Sequence, residues 1–223
     1  MKRFNNKLNY LDLNSIPIKT AIEEREMSRF FIKYIDWKLI CKKEKLTDEF
    51  MTKHIDKLDW FLISKHQKLS EDFIRRFYLK LYWDEISEYQ KLSCLFMKEF
   101  HKKISWAIAS KHQVLSESLI EEFKDSVSWY SICRCQTLSA EFIIKNSCYI
   151  EPDYIDEVLG FQKLSISLIE NFAIKDYHWN WISRNKSLTD NIAGKYIKKL
   201  NVRYLIDNPG LSDSFKEILK TFQ

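Results

Sequence analysis

The chain has 223 residues, of which 45% are hydrophobic and 15% aromatic, which supplies a sizeable core and excludes disorder by composition. Its 36 Lys and Arg against 31 Asp and Glu leave a net charge of +5, mild beside most nucleic-acid-binding domains. With 3 Gly and 3 Pro, two of them adjacent at Pro209 and Gly210, there is no Gly-rich phosphate loop and no flexible linker at which to divide the chain.

In chain order, residues 1–26 read as an N-terminal cap, 27–210 as tandem repeats and 211–223 as a C-terminal capping helix, together one elongated domain. The repeats are set by a recurring phrase: Leu-Ser or Leu-Thr, an aromatic or large aliphatic four residues on, a Trp, then Ile and Gln. Leu46, Leu69, Leu92, Leu115 and Leu138 are evenly spaced, and Leu164, Leu188 and Leu211 continue the series after two wider steps. Trp37, Trp60, Trp83, Trp106 and Trp129 keep the same interval. A period of this length marks a solenoid, in which each unit buries its apolar face against its neighbours.

Within a unit such as Leu69–Lys91, Ser70 is placed to cap a first helix, helix A, with Glu71 and Asp72 at the positive end of its dipole. Phe73, Ile74, Phe77 and Leu81 then form one apolar stripe. A second capping position, held by Asp36, Asp59, Ser105, Ser128 and Asn201, opens a shorter helix B. Trp, Ile and a small residue (Cys41, Ser64, Ser87, Ser110, Cys133 or Ser183) form the buried face of helix B, with the Trp column expected in the core. Gln67, Gln90, Gln113, Gln136 and Gln162 recur at the turn into the next unit, where their amides are expected to satisfy backbone groups of the loop. The extra residues between Cys148 and Asp153, with Pro152 among them, predict a local bulge. The fold expected is thus an all-α, right-handed αα solenoid of about eight two-helix repeats, about 80 Å long at 8–10 Å per unit.

This order of Leu-Ser, helix, cap, shorter helix and next Leu, covering residues 37–219, resembles leucine-rich-repeat-variant and HEAT-like proteins. More closely, it resembles Leu-Ser/Phe-Ile/Trp/Gln tandem-repeat proteins of large DNA viruses and phages. The resemblance implies a binding scaffold, and a viral or phage factor that blocks a host protein or a defence nucleoprotein complex.

Chemistry-bearing motifs are sparse. The chain has no HExxH, GxSxG or paired CxxC, and it reads as a non-enzyme with no cofactor, no metal and no small-molecule substrate. The acidic pairs Asp48/Glu49, Glu71/Asp72 and Glu121/Glu122 lie on early helical turns, where dipole complementation explains them better than acid–base catalysis. His66 and His112 stand two units apart, about 20 Å, too far to share a metal. The five scattered cysteines predict free thiols. With no signal peptide and no apolar run long enough to cross a bilayer, the expectation is a cytoplasmic protein without a membrane partner.

The candidate partner-binding residues lie on helix B. Lys42, Lys65, Lys111, Arg134 and Arg184 form one column, interrupted by Glu88, Gly160 and Asp207. The next column holds Lys43, His66, Tyr89, His112, Cys135, Phe161 and Asn185. Both point away from the core and predict a stripe of cations interleaved with rings. A protein or nucleoprotein partner is the first reading, and an RNA or single-stranded nucleic acid, with cations on phosphates and Tyr89 or Phe161 on bases, is the alternative. A third column, Leu39, Leu62, Ile108, Trp181 and Tyr204, broken by Glu85, Ser131 and Glu157, is either an exposed apolar interface or a row covered by neighbouring helices.

Overall fold

A computed structural model describes residues 36–173 and 175–221; the expected N-terminal cap at 1–26 lies outside the described residues. Among them are sixteen α-helices, two 3₁₀ turns and no strand. The repeat architecture is that of an αα solenoid.

The chain divides into two compact units, one ending at Ile104 and one beginning at Ser105, a boundary inside the repeat that no change of composition marks. In the first unit the helices are α1 (Trp37–Lys43), α2 (Asp48–Lys53), α3 (Trp60–His66), α4 (Glu71–Phe77), α5 (Trp83–Tyr89) and α6 (Cys94–Glu99). Odd numbers are B helices and even numbers A helices. In the second they are α7 (Trp106–His112), α8 (Glu117–Glu122), α9 (Trp129–Cys135), α10 (Ala140–Lys145), α11 (Ile155–Phe161), α12 (Ile166–Phe172), α13 (His178–Arg184), α14 (Asp190–Tyr196), α15 (Val202–Ile206) and α16 (Asp213–Lys220). The B helices pack consecutively, α1 on α3 on α5 in the first unit and α7 on α9 on α11 on α13 on α15 in the second.

Helices of five to eight residues are too short to be stable alone, and their ends carry much of the specification. Every described helix A has its Ser or Thr cap in place: Thr47, Ser70, Ser93, Ser116, Ser139, Ser165, Thr189 and Ser212 each accept the N–H three residues on. The acid after the cap often has a second task. Glu71 accepts Ser93 N–H at 2.7 Å and Asp190 accepts Ser212 N–H at 3.0 Å, so Glu71 ties one unit to the next as well as complementing a dipole.

The glutamines carry the B stack. Gln67 Oε1 accepts Leu46 N–H at 2.8 Å, while its Nε2 donates to the carbonyls of Cys41 and Glu44 at 2.8 and 2.7 Å. Gln90 repeats the pattern on Leu69, Ser64 and Gln67, and Gln136 on Leu115, Ser110 and Gln113. Each rung supplies donors to the carbonyls left open where the preceding helix B ends. The loop expectation for these amides is met, and the ladder extends further than the glutamines do. Asn185, which the sequence places in the ring column, is buried and is a rung: its Nδ2 donates to Leu159 and Gln162 carbonyls, both at 2.8 Å. Asn208 does the same to Ser183 and Asn185. The shorter amide works through a relay, in which Ser187 donates to Asn185 Oδ1 and its own Oγ accepts Leu164 N–H at 2.8 Å.

The small column is also bonded. Ser64 Oγ donates to Trp60 O at 2.7 Å and accepts Tyr82 N–H at 3.0 Å from the start of the next helix B; Ser110 and Ser183 do likewise to Ser128 and Asn201. The insertion resolves into two 3₁₀ turns, Ser147–Tyr149 and Pro152–Tyr154, after which Ile155 fills the Trp position and Tyr149 stacks on Trp129 at 5.3 Å.

The Trp column is core only in part. Trp106, Trp129 and Trp179 are buried, whereas Trp37, Trp60 and Trp83 are half-buried. Each packs on rings of the following helix A, as Trp83 does on Phe100 at 5.2 Å and Trp106 on Phe123 at 4.4 Å.

Candidate interaction face

The two outward columns of helix B are where the spacing predicted them. Lys42, His66, Tyr89, Lys111, His112, Arg134, Phe161 and Arg184 are exposed, and Lys65 is half-exposed. They do not form a row of free cations. Lys65 Nζ lies 3.4 Å from Glu85 Oε2, Arg134 Nη1 lies 3.2 and 3.1 Å from the two oxygens of Glu157, and Arg184 donates to the Tyr204 hydroxyl while its guanidinium lies 3.9 Å from that ring's centroid. The acids that interrupt the apolar column are therefore the partners of cations one helix earlier. Glu157, expected to face water, is buried, with both of its oxygens bonded by Arg134 Nη1. The remaining members of that column, Leu62, Ile108, Trp181 and Tyr204, are half-buried against neighbouring helices, and Leu39 is exposed. At Gly160 a Cβ would meet the Trp181 ring at 3.1 Å, so the absent side chain is what lets the indole lie over α11.

Around two of these ion pairs the same five-residue set assembles. On α3 and α5, Lys65 Nζ sits 5.6 Å from the Phe61 centroid and 5.0 Å from that of Tyr89, with Phe61 edge-on to Tyr82 at 5.4 Å and Glu85 beneath. On α9 and α11, Arg134 Cζ lies 4.7 Å from the Phe161 centroid and its Nη1 is 3.3 Å from the Tyr130 hydroxyl. Tyr130 is edge-on to Tyr154 at 5.6 Å, with Glu157 beneath. Position by position these correspond: a ring one residue after the Trp, a cation four residues later, a ring at the start of the next helix B, an acid three residues on, and a ring four residues after the acid. The leading helices of the two sets, α3 and α9, stand three repeats apart. Other B pairs do not carry the set; on α13 and α15 the two leading rings are replaced by Asn180 and Asn201, bonded at 3.1 Å.

Sequence reasoning located Lys65, Tyr89, Arg134 and Phe161 but not Phe61, Tyr82, Tyr130, Tyr154 or the role of the acids. The missed signal was a ring directly after the Trp, which occurs at Phe61 and Tyr130.

The electrostatics of both sets are quenched. Desolvation works against the Lys65 charge, but Glu85 and Tyr89 outweigh it and hold the ammonium above the ordinary lysine value. Glu157 first, then Tyr130, raises Arg134 likewise. The acids are well shielded, with side chains 16% and 12% exposed at Glu85 and Glu157, whereas Tyr89 and Phe161 are 46% and 50% exposed. The arrangement offers water an aromatic surface with its charge neutralised beneath.

Among the described residues no group of three or more His, Cys, Asp or Glu converges, and no helix is long and apolar enough to cross a membrane. Among the described residues no cysteine forms a disulfide; burial pushes the Cys133 thiol up to about 12, an inert value, and Cys135 and Cys148 are exposed. No protein-family model matches the chain, and comparison with curated proteins and with solved structures found no match.

Proposed function

We propose that the chain is a non-enzymatic, cytoplasmic scaffold that binds a protein partner on its helix-B face, with the two aromatic sets as the contact centres. The observation that supports this reading is the recurrence of one five-residue set, exposed rings over a neutralised ion pair, on both units. Tyr, Phe and Arg in partly covered clusters are the residues that dominate protein interfaces, and a pre-paired cation adds contact area without an unmatched charge.

The nucleic-acid alternative loses support from the same geometry. A phosphate approaching Lys65 or Arg134 would meet Glu85 or Glu157 already in place, which takes two of the five cations of the stripe out of counterion release. The resemblance to tandem-repeat proteins of large DNA viruses and phages makes a host protein, or the protein part of a defence complex, the partner class in this proposal.

The test compares affinity capture from cell lysate, with and without nuclease, by the parent chain and by a Phe61→Ala, Tyr89→Ala, Tyr130→Ala, Phe161→Ala variant whose helical signal is unchanged. A nuclease-resistant protein retained by the parent and lost by the variant is the expected result. Capture of that protein by both would remove the aromatic sets, and nuclease-sensitive capture would favour the nucleic-acid reading.

A further inference from the structure

Each aromatic set has the same neighbour. The B helix before the first set, α1, carries Lys42, and the one before the second, α7, carries Lys111, again three repeats on and at the corresponding position. Elsewhere in this column a cation faces an acid or a phenol on the following helix: Lys65 has Glu85, Arg134 has Glu157, Arg184 has Tyr204. The residues that stand in the acid's place after Lys42 and Lys111 are Leu62 and Ser131, which carry no charge. Both lysines are exposed, and neither takes an acidic partner among the described residues. Each unit therefore presents a neutral platform of rings beside a lysine of this column that has no acidic partner among the described residues, α1 packing on α3 and α7 on α9.

Resting on the protein-partner reading above, we infer that each set with its lysine is one of two equivalent docking positions for a peptide segment that carries a large apolar side chain and a carboxylate. The chain would take two such segments. The apolar side chain covers the rings at Tyr89 or Phe161, and the carboxylate pairs with Lys42 or Lys111. Packed helices lie about 8–10 Å apart, the lysine and the ring stand two B helices apart, and an extended chain rises about 3.3 Å per residue, so the two anchors stand about five to six residues apart in the segment. The neutralised cations give the choice its sign: Lys65 and Arg134 have their acids, so the ammonium beside each platform is the charge left to complement, and it calls for an acidic ligand.

The experiment pans a phage-displayed random peptide library on the full chain, then titrates the most enriched peptide by calorimetry against parent and variants, with oligo(dT) titrated in parallel. Expected are peptides pairing an aromatic or aliphatic residue with Asp or Glu about five to six positions away, bound at two sites per chain. Lys42→Glu should weaken one site and Lys111→Glu the other by about tenfold or more, while Lys42→Arg keeps the first. Both lysines are exposed, so unchanged helical signal separates lost binding from lost folding. Enriched peptides without an acid, or a single site per chain, overturn this inference and leave the protein-partner reading standing if Tyr89→Ala with Phe161→Ala abolishes binding. Binding indifferent to rings and lysines alike overturns both, as does saturable oligo(dT) binding that Lys42→Glu and Lys111→Glu remove. Failure to enrich any peptide overturns the segment proposal.

Discussion

The tryptophans of the first unit, Trp37, Trp60 and Trp83, are half-buried, and those of the second, Trp106, Trp129 and Trp179, are buried, although they share one column and one kind of neighbour. The difference lies in what closes over the indole. Trp129 is covered by the flat face of Tyr149 from the inserted 3₁₀ turn, at 5.3 Å and 19°. Trp60 has Phe77 at 5.5 Å and the Lys80 ammonium at 5.7 Å, and part of the ring stays in water. The rungs differ as well: the first unit uses glutamine, and the second passes to Asn185 and Asn208. A repeat of this kind holds its bonding pattern constant and lets the residue that supplies it vary.

Trp→Ala substitutions give the largest expected effect. Trp129→Ala should cost about 3–5 kcal/mol in chemical denaturation, and Trp60→Ala clearly less because less of its surface leaves water on folding. Equal losses would mean that exposure does not set the contribution of this column.

Rung removal follows. Gln136→Ala strips partners from Leu115 N–H and from the Ser110 and Gln113 carbonyls, a loss of about 3 kcal/mol. Gln136→Asn should not recover the Leu115 N–H contact, because beside Asn185 the corresponding N–H is accepted by Ser187 two residues on, and two residues after Gln136 stands Leu138. Full recovery by Gln136→Asn would show the relay to be dispensable. Ser187→Ala, which leaves Leu164 N–H without its acceptor, should cost about 1–2 kcal/mol, and a neutral result would carry the same lesson.

The architecture was legible because it is periodic: caps, the Ile column and the glutamine ladder are each stated several times, and repetition averages out local ambiguity. The second half of the ladder was not, because Asn185 and Asn208 fall one residue early relative to the Trp spacing, and beside Asn185 the next loop's N–H is accepted by a serine that no column marks. The candidate face was half legible. Spacing shows which way Lys65 and Arg134 point, but their pairing with Glu85 and Glu157 depends on the offset between adjacent B helices, which the period alone does not state. The serines of the small column were read as packing, since one-dimensional pattern does not distinguish a small buried residue from a bonded one.

Acid sensitivity is the smallest effect at neutral pH and separates the units once more. His178 is buried in the second unit, its Nδ1 accepting Lys175 N–H at 3.2 Å and its Nε2 lying 3.9 Å from Asp156 Oδ1. Desolvation lowers its pKa from 6.5, and the attraction of Asp156 does not offset it. His54 of the first unit, half-buried against Trp37 and Phe50, is lowered for the same leading cause. A histidine held low in the fold takes its proton more readily when unfolded, so stability is whole above the unfolded value and declines as pH falls through 6.5 toward the folded one. Each tenfold loss of proton affinity on folding removes about 1.4 kcal/mol once both values are passed. Denaturation midpoints at pH 7.5 and pH 5 should therefore differ in the parent, with more of that difference erased by His178→Phe than by His54→Phe. The reverse order would mean that the half-buried ring of the first unit, and not the buried one of the second, governs the response to acid.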